Sequence, residues 1–322
     1  MDPSGKARGK PAVDLEQPVF VCGVGRSGTS LVQSMLHAHP DLSFPAESHF
    51  FRRYVAPRTP RKLGLGDWHD LLAADAELAW TDVSVDELLA GEGDGEVDPQ
   101  RIYRRLLKAV AERHGTTRVG DKDPRFVEVV PALHGRFPQA YLIQIVRDPR
   151  DVLLSRTRAA WARSRPWIAH VMICREQLIR GSTDGPAYFG DRYLQVQYEQ
   201  LIDDPEPVLR ELCQGLDLPY DPAMLSFGGP ARELVTEVES SWKQETLGPL
   251  LTHNSGKWRN GLSRIQVLVT EALCLGVVPG ADYRRSNPGR DGMLGVLVFV
   301  SASLLRIAAR VGFRLRALLS RV

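Results

Sequence analysis

Cysteine is scarce in this chain, and none of it is closely paired in sequence. The 322 residues hold four, Cys22, Cys174, Cys213 and Cys274, with no C-x-x-C among them. That scatter argues against a disulfide framework or a cysteine zinc site and suits the reduced thiols of a cytoplasm. Charge of one sign is also lacking. Forty-one Lys and Arg against 39 Asp and Glu leave a net charge of +2, which sets aside a nucleic-acid binder. The opening MDPSGKARGKPAVDLEQ has no apolar stretch of the kind a signal peptide needs, so residues 1–17 read as a disordered lead. No internal repeat is visible. What is present is ordinary: 43% hydrophobic residues can build a sizeable core in one large domain or two small ones.

One further absence is a single side chain. VCGVGRSGTS, residues 21–30, places Gly23, Gly28 and Ser30 in register with the nucleotide-phosphate loop G-x-x-x-x-G-K-[ST], but Thr29 stands where the lysine should be. Pro18–Gly23 is a short apolar run that suits a strand buried on both faces. From Thr29 the spacing of Leu31, Val32, Met35 and Leu36 is helical, and His39-Pro40 stops it. The loop therefore lies between a strand and a helix N-terminus, where backbone N–H groups bind anions. Ser27, Thr29 and Ser30 add hydroxyl donors, and Arg26 adds a forked cation.

Further strands are expected at Leu42–Phe44, Val119–Lys122, Tyr141–Val146 and Tyr193–Val196. Helices are expected after Asp148, over Ile168–Ile179, over Pro205–Leu216 and over Leu262–Leu275, with a Gly/Asp-rich break at Gly91–Gly95. Strands alternating with helices give an α/β fold with a mostly parallel sheet. Three more motifs fall at strand ends, where open α/β sheets bind ligands. Phe44-Pro45-Ala46-Glu47-Ser48-His49 offers a carboxylate and an imidazole, either of which suits a general base. Gly120-Asp121-Lys122-Asp123-Pro124 offers a lysine, or else a solvated turn salt bridge. Val146-Arg147-Asp148-Pro149-Arg150-Asp151 is followed by Ser155, two helical turns on; Arg147 and Ser155 together suit a second phosphate, while Arg147 paired with Asp148 or Asp151 is the plainer reading.

Together these four stretches resemble the PAPS-dependent sulfotransferase family, closest to the branch that includes protein-tyrosine and many bacterial sulfotransferases. Val24–Ser30 is similar to the family's 5′-phosphosulfate loop, with Gly25 where proline is frequent, and Val146–Asp151 with Ser155 is similar to its 3′-phosphate motif. In that branch a glutamate follows the loop arginine at the spacing of Arg26 and Glu47, and Asp121–Pro124 matches an N/D-K-D/T-P element. Tyr198-Glu199-Gln200-Leu201 and Ser255-Gly256-Lys257-Trp258 resemble two later motifs, so the likeness runs from about Pro18 to Tyr283.

The resemblance implies a three-layer P-loop-type fold with a central five-stranded, mostly parallel sheet flanked by helices. It implies transfer of a sulfuryl group from PAPS to a hydroxyl or amine, with PAP as product and no metal. Because the donor has a single 5′-phosphate, the Walker lysine has no β/γ pair to reach. The resemblance puts Arg26, Ser27, Gly28, Thr29 and Ser30 on the 5′-phosphosulfate and Arg147 and Ser155 on the 3′-phosphate, and adds Tyr198, Lys257 and Trp258 to the cofactor site. Glu47 is the candidate base and His49 its rival, while Arg26 and Lys122 would stabilise developing charge. The competing classes are a P-loop kinase using ATP and Mg²⁺ and a non-catalytic nucleotide-binding module.

The acceptor is expected on residues 52–115 and 156–190, which hold Trp68, Trp80, Trp161 and Trp167. A small molecule, a glycan or a lipid-linked acceptor fits there, the basic tail tilting the reading slightly toward a lipid-linked or amphipathic one, and the Ile168–Ile179 helix is a candidate homodimer contact. Outside the expected domain, 18–290, the segment 291–322 joins GMLGVLVFVSASLL to Arg306, Arg310, Arg314 and Arg321 on one helical face. The run is short of the roughly 20 residues a span requires. It suits a basic amphipathic helix on the inner face of a membrane, or one docked on the core or on a second copy.

Overall fold

The computed structural model describes residues 12–57, 62–93, 95–159, 162, 164–236 and 246–286. The expected amphipathic tail 291–322 and Trp161 lie outside the described residues, as do residues 1–11 of the lead. At the centre is a five-stranded sheet in the order β2-β3-β1-β4-β5. The strands are β1 (Asp14–Gly23), β2 (Leu42–Ser43), β3 (Arg118–Lys122), β4 (Tyr141–Val146) and β5 (Tyr193–Gln197). Every pairing is parallel, so the sheet is wholly rather than mostly parallel. β1 begins four residues before the expected Pro18, because Asp14 pairs with Arg118 across a register shift. Asp14, Glu16 and Gln17 are polar and none of residues 14–17 is fully buried, which hides this part of the strand from a reading of apolar runs.

Side chains alternate across β1 with the period of two that a strand imposes. Phe20 and Cys22 face one layer, with Tyr103 of the Pro99–His114 helix, Phe51, Phe126 and Phe137. Val19 and Val21 face the other, against Val32, Met35 and Leu36 of α1 (Thr29–His37) and Leu209 and Leu212 of the Pro205–Gly215 helix. A third cluster joins Val146 to Val152 and Leu153 of the Pro149–Arg158 helix, to Val171 and Leu178 of the 23-residue Trp167–Phe189 helix, and to Leu273 of the Arg264–Cys274 helix. The segment expected at Ile168–Ile179 is thus the first half of a longer helix. All four cysteines are buried, and none is in a disulfide. No helix among the described residues is long and apolar enough to cross a membrane.

Parallel strands bring their C-terminal ends to one edge. The loop after β1, the 44–49 segment after β2, Lys122 and Asp123 at the end of β3, the start of the Pro149–Arg158 helix after β4 and Tyr198 after β5 all gather there. Gly120 makes part of this possible: a Cβ there would lie 2.2 Å from the Phe44 ring and 2.5 Å from the Val19 carbonyl. With hydrogen in that place, Phe44 crosses β3 and carries the chain on to Glu47.

Candidate active site

The loop turns on Gly28, which caps α1 with φ of 101°. Its missing side chain is occupied: a Cβ would sit 2.3 Å from the ring of Tyr198. Arg26 has φ of 82°, a conformation that costs a non-glycine residue about 1–3 kcal/mol and is kept where neighbours fix it. One such neighbour is Ser155, whose Oγ accepts from Arg26 Nε at 3.0 Å. Arg147 donates to the Arg26 carbonyl at 3.3 Å and the Asn254 carbonyl at 2.7 Å, and lies 4.2 Å over the Tyr198 ring. Asn254 Nδ2 donates to the Tyr198 hydroxyl at 2.8 Å. Arg147 is therefore not the structural partner of Asp148, which accepts from Arg150, or of Asp151, which accepts from the N–H groups of Gly256 and Trp258. Within this arrangement Ser27 Oγ and Arg147 Nε are buried without a hydrogen-bond partner. Such orphaned donors are costly unless something accepts from them.

The second half of the site is a chain of charges. Lys122 Nζ, wholly buried, is ion-paired to Glu47 Oε2, whose side chain keeps 12% of its exposure. This is no solvated turn salt bridge. Glu47 is steadied from behind, where Gln33 Nε2 donates to the Pro45 carbonyl at 2.8 Å. His49 Nε2 lies 3.6 Å from Glu47 Oε1, and its Nδ1 meets Asp123 Oδ2 at 3.0 Å, an oxygen that also accepts from Arg52 at 2.8 Å. Burial works against the charged imidazole, but Asp123 and Glu47 outweigh it and raise the His49 pKa. Burial likewise works against the Asp123 carboxylate, yet His49 and Arg52 hold it well below the usual range. Glu47, His49 and Asp123 offer ligand atoms within 4.8 Å of one another, but Lys122, Arg52 and the His49–Asp123 bond already engage them.

Both halves open on one cavity of about 860 Å³. Arg26, Gly28, Thr29, Ser30, Glu47, His49, Arg147 and Tyr198 are on its wall. Among the described residues Ser27, Lys122, Ser155, Lys257 and Trp258 are not. Trp258 is buried with Arg150 3.9 Å over its ring, and Lys257 is exposed. The wall also includes Trp80, Ile173, Leu250 and Leu251. Of the expected acceptor-side indoles, Trp68 instead fills the core and Trp167 packs against the third cluster. Sequence reasoning gave no role to Arg52, Glu77, Asp123, Arg156 or Asn254, all of which line the cavity. Arg156 is buried and donates to the Gly25 carbonyl at 3.4 Å. Only Asp123 and Arg156 had a signal, inside D-K-D-P and directly after Ser155.

Comparison with known proteins agrees with this geometry. The model of the sulfotransferase family matches residues 18–222. Protein-tyrosine sulfotransferase A of Caenorhabditis elegans is 27% identical over 64% of this chain and 51% of its own length. Nodulation protein NoeE of Sinorhizobium fredii is 26% identical over 65% of this chain and 52% of its own. The chain thus spans about half the length of these two relatives. The solved sulfotransferase domain of the Synechococcus PCC 7002 olefin synthase superposes with a TM-score of 0.59 at 24% identity, over 80% of this chain and 93% of that one; at that identity the likeness speaks for the fold alone. A family match across most of the sheet, on a fold that brings the loop and the Glu47 pair to one cavity, makes this chain a member of the sulfotransferase family.

Proposed function

We propose that the chain transfers a sulfuryl group from PAPS to a hydroxyl or amine of an acceptor, with Glu47 as general base. The observation that carries this is Glu47 on the wall of the cavity that the glycine loop also lines, its carboxylate ion-paired from within the core to Lys122. The residues present fit a nucleotide with two separate phosphate positions. The α1 N-terminus, with Thr29 and Ser30 on the cavity wall, suits one, and orphaned Arg147 Nε suits the other. PAPS, when bound, supplies a sulfuryl group on a phosphate leaving group. Arg26 to Ser30 would hold the 5′ end and Arg147 the 3′ end. Ser155 couples the two through Arg26 rather than standing on the cavity wall.

Glu47 takes the acceptor's proton, a role that typically contributes 10²- to about 10⁴-fold in rate. Lys122 fixes the carboxylate from within the core, and Arg26 supplies a preorganised cation where charge develops, worth about 3 kcal/mol in comparable sites. Trp80 and the 250–251 leucines suit an acceptor with an apolar or ring-bearing part, whether small molecule, glycan or lipid-linked.

Thermal melts with PAP in excess EDTA are the test. A rise in Tm with PAP alone is expected, together with transfer of label from PAPS in an acceptor screen. A rise that requires ATP and Mg²⁺ would instead favour phosphoryl transfer.

A further inference from the structure

His49 sits in the left-handed region with φ of 54°, a strain that persists only where the surroundings over-determine it. Here the surroundings are charges. From β3 and the residues after it come Asp123, on Nδ1, and Lys122, which holds Glu47. From its own segment come Glu47, Arg52, which shares Asp123, and Arg53. From the turn after the Leu65–Ala73 helix comes Glu77, which Arg53 pairs and whose Oε2 lies 3.9 Å from His49 Nε2. Nε2 thus lies between two carboxylates, 3.6 Å from Glu47 Oε1 on one side and facing Glu77 on the other. A neutral ring donating from Nδ1 would turn a lone pair toward both; the doubly protonated ring turns an N–H toward them. That charged state is a poor base, which favours Glu47 over His49 in that role. Exposure rises along the chain, from 12% for Glu47 to 27% for Glu77.

We propose that His49 and Glu77 relay the acceptor's proton from Glu47 to solvent, a role that rests on the reading of Glu47 as the base. Glu47 takes the proton and becomes a neutral acid. The His49 imidazolium gives its Nε2 proton to the Glu77 carboxylate. The neutral Nε2 then takes the proton from Glu47, restoring both groups, and Glu77 releases its proton to water. One proton leaves and only O–H and N–H bonds change. Both gaps are a few tenths of an ångström beyond a hydrogen bond, as catalytic contacts are in unliganded sites before substrate tightens them. His49 and Glu77 act through Glu47 and are positioning residues.

The experiment uses labelled PAPS with 2-naphthol, a phenol that must lose a proton, and with p-nitrophenol, already ionised at about pH 8.5. Glu77→Gln and His49→Gln should each lower kcat on 2-naphthol about tenfold or more with KM for PAPS unchanged. Losses on p-nitrophenol should be smaller than those on 2-naphthol, Glu77→Asp should retain most of the 2-naphthol rate, and added imidazole buffer should restore Glu77→Gln in proportion to its concentration. NMR titration of the His49 ring needs no acceptor: it should titrate above the ordinary histidine range, and lower in Glu77→Gln. Unchanged kcat on 2-naphthol, equal losses on both phenols, or a His49 titration that ignores Glu77→Gln would each overturn the relay. Glu47→Gln separates the two ideas. If it runs at the wild-type rate on 2-naphthol, the base reading fails; if it is crippled while both relay variants are not, only the relay fails.

Discussion

Lys122→Met removes one charge from the Glu47 pair and little else. Methionine is close to lysine in length and adapts to its surroundings, so the space that the wholly buried side chain fills stays filled. Breaking a buried ion pair by removing one partner costs about 3–5 kcal/mol, because the other charge is left uncompensated. Glu47 keeps some access to water and has His49 3.6 Å away, which brings the expected cost down to about 2–3 kcal/mol. Glu47→Gln leaves the ammonium stranded instead, and since that group has no exposure the cost should reach the upper end, about 4 kcal/mol. The double variant strands neither charge. It should therefore cost less than either single and fall short of their sum by about 3 kcal/mol or more, the upper end for directly contacting groups. Urea unfolding of the four proteins measures this, and melting offers a second reading at about 2–4 °C per kcal/mol. Costs that add to within about 0.5 kcal/mol, as for independent sites, would refute the pair and with it the placement of Glu47.

Gly28→Ala puts a Cβ 2.3 Å from Tyr198 at a φ of 101°, so calorimetry should show PAP affinity falling by about tenfold or more, as for a strained loop; unchanged affinity would mean the ring yields freely. Asp121 is wholly buried and its pKa is pushed up to about 6, by burial first and by Asp123 next, against the Tyr103 and Lys122 hydrogen bonds. The folded chain then holds that proton more tightly than the unfolded one, so stability falls as pH rises from about 4 to 6, by at most about 3 kcal/mol. Asp121→Asn should therefore gain on the parent between pH 5 and 7.5 in melting experiments, and a difference constant with pH would count against it. Truncation after residue 291 should abolish co-sedimentation with anionic vesicles if the basic face Arg306, Arg310, Arg314 and Arg321 lies on membranes; binding that survives points to another surface.

The loop was legible because it is local: a buried apolar strand, glycines in register and a helix start fall within twenty residues. Glu47 and Lys122 were each legible as strand-end chemistry, but not as a pair. Seventy-five residues separate them, and they meet only because β3 inserts between β2 and β1, an order no local pattern encodes. The same insertion brings Asp123 beneath His49 and Arg52, which is why that network was missed. Ser155 was read as a phosphate ligand from helical spacing, but spacing does not say that Arg26 bends back to claim its hydroxyl. Lys257 and Trp258 were assigned by motif, whereas Asp151 ties their loop to the helix after β4 and leaves the indole beneath Arg150.

Tyr198 touches more of this arrangement than any motif suggested. Its ring fills the space over Gly28, its face carries Arg147, and its hydroxyl takes Asn254, whose own carbonyl returns to Arg147. The residues proposed to grip the donor are thereby tied through Asn254 to the stretch that puts Leu250 and Leu251 on the cavity wall. A ligand that tightens one end tightens the other, and by linkage the two affinities change by the same factor. If the donor binds on Arg147 and the acceptor against these leucines, each should reach saturation at a lower concentration when the other is bound.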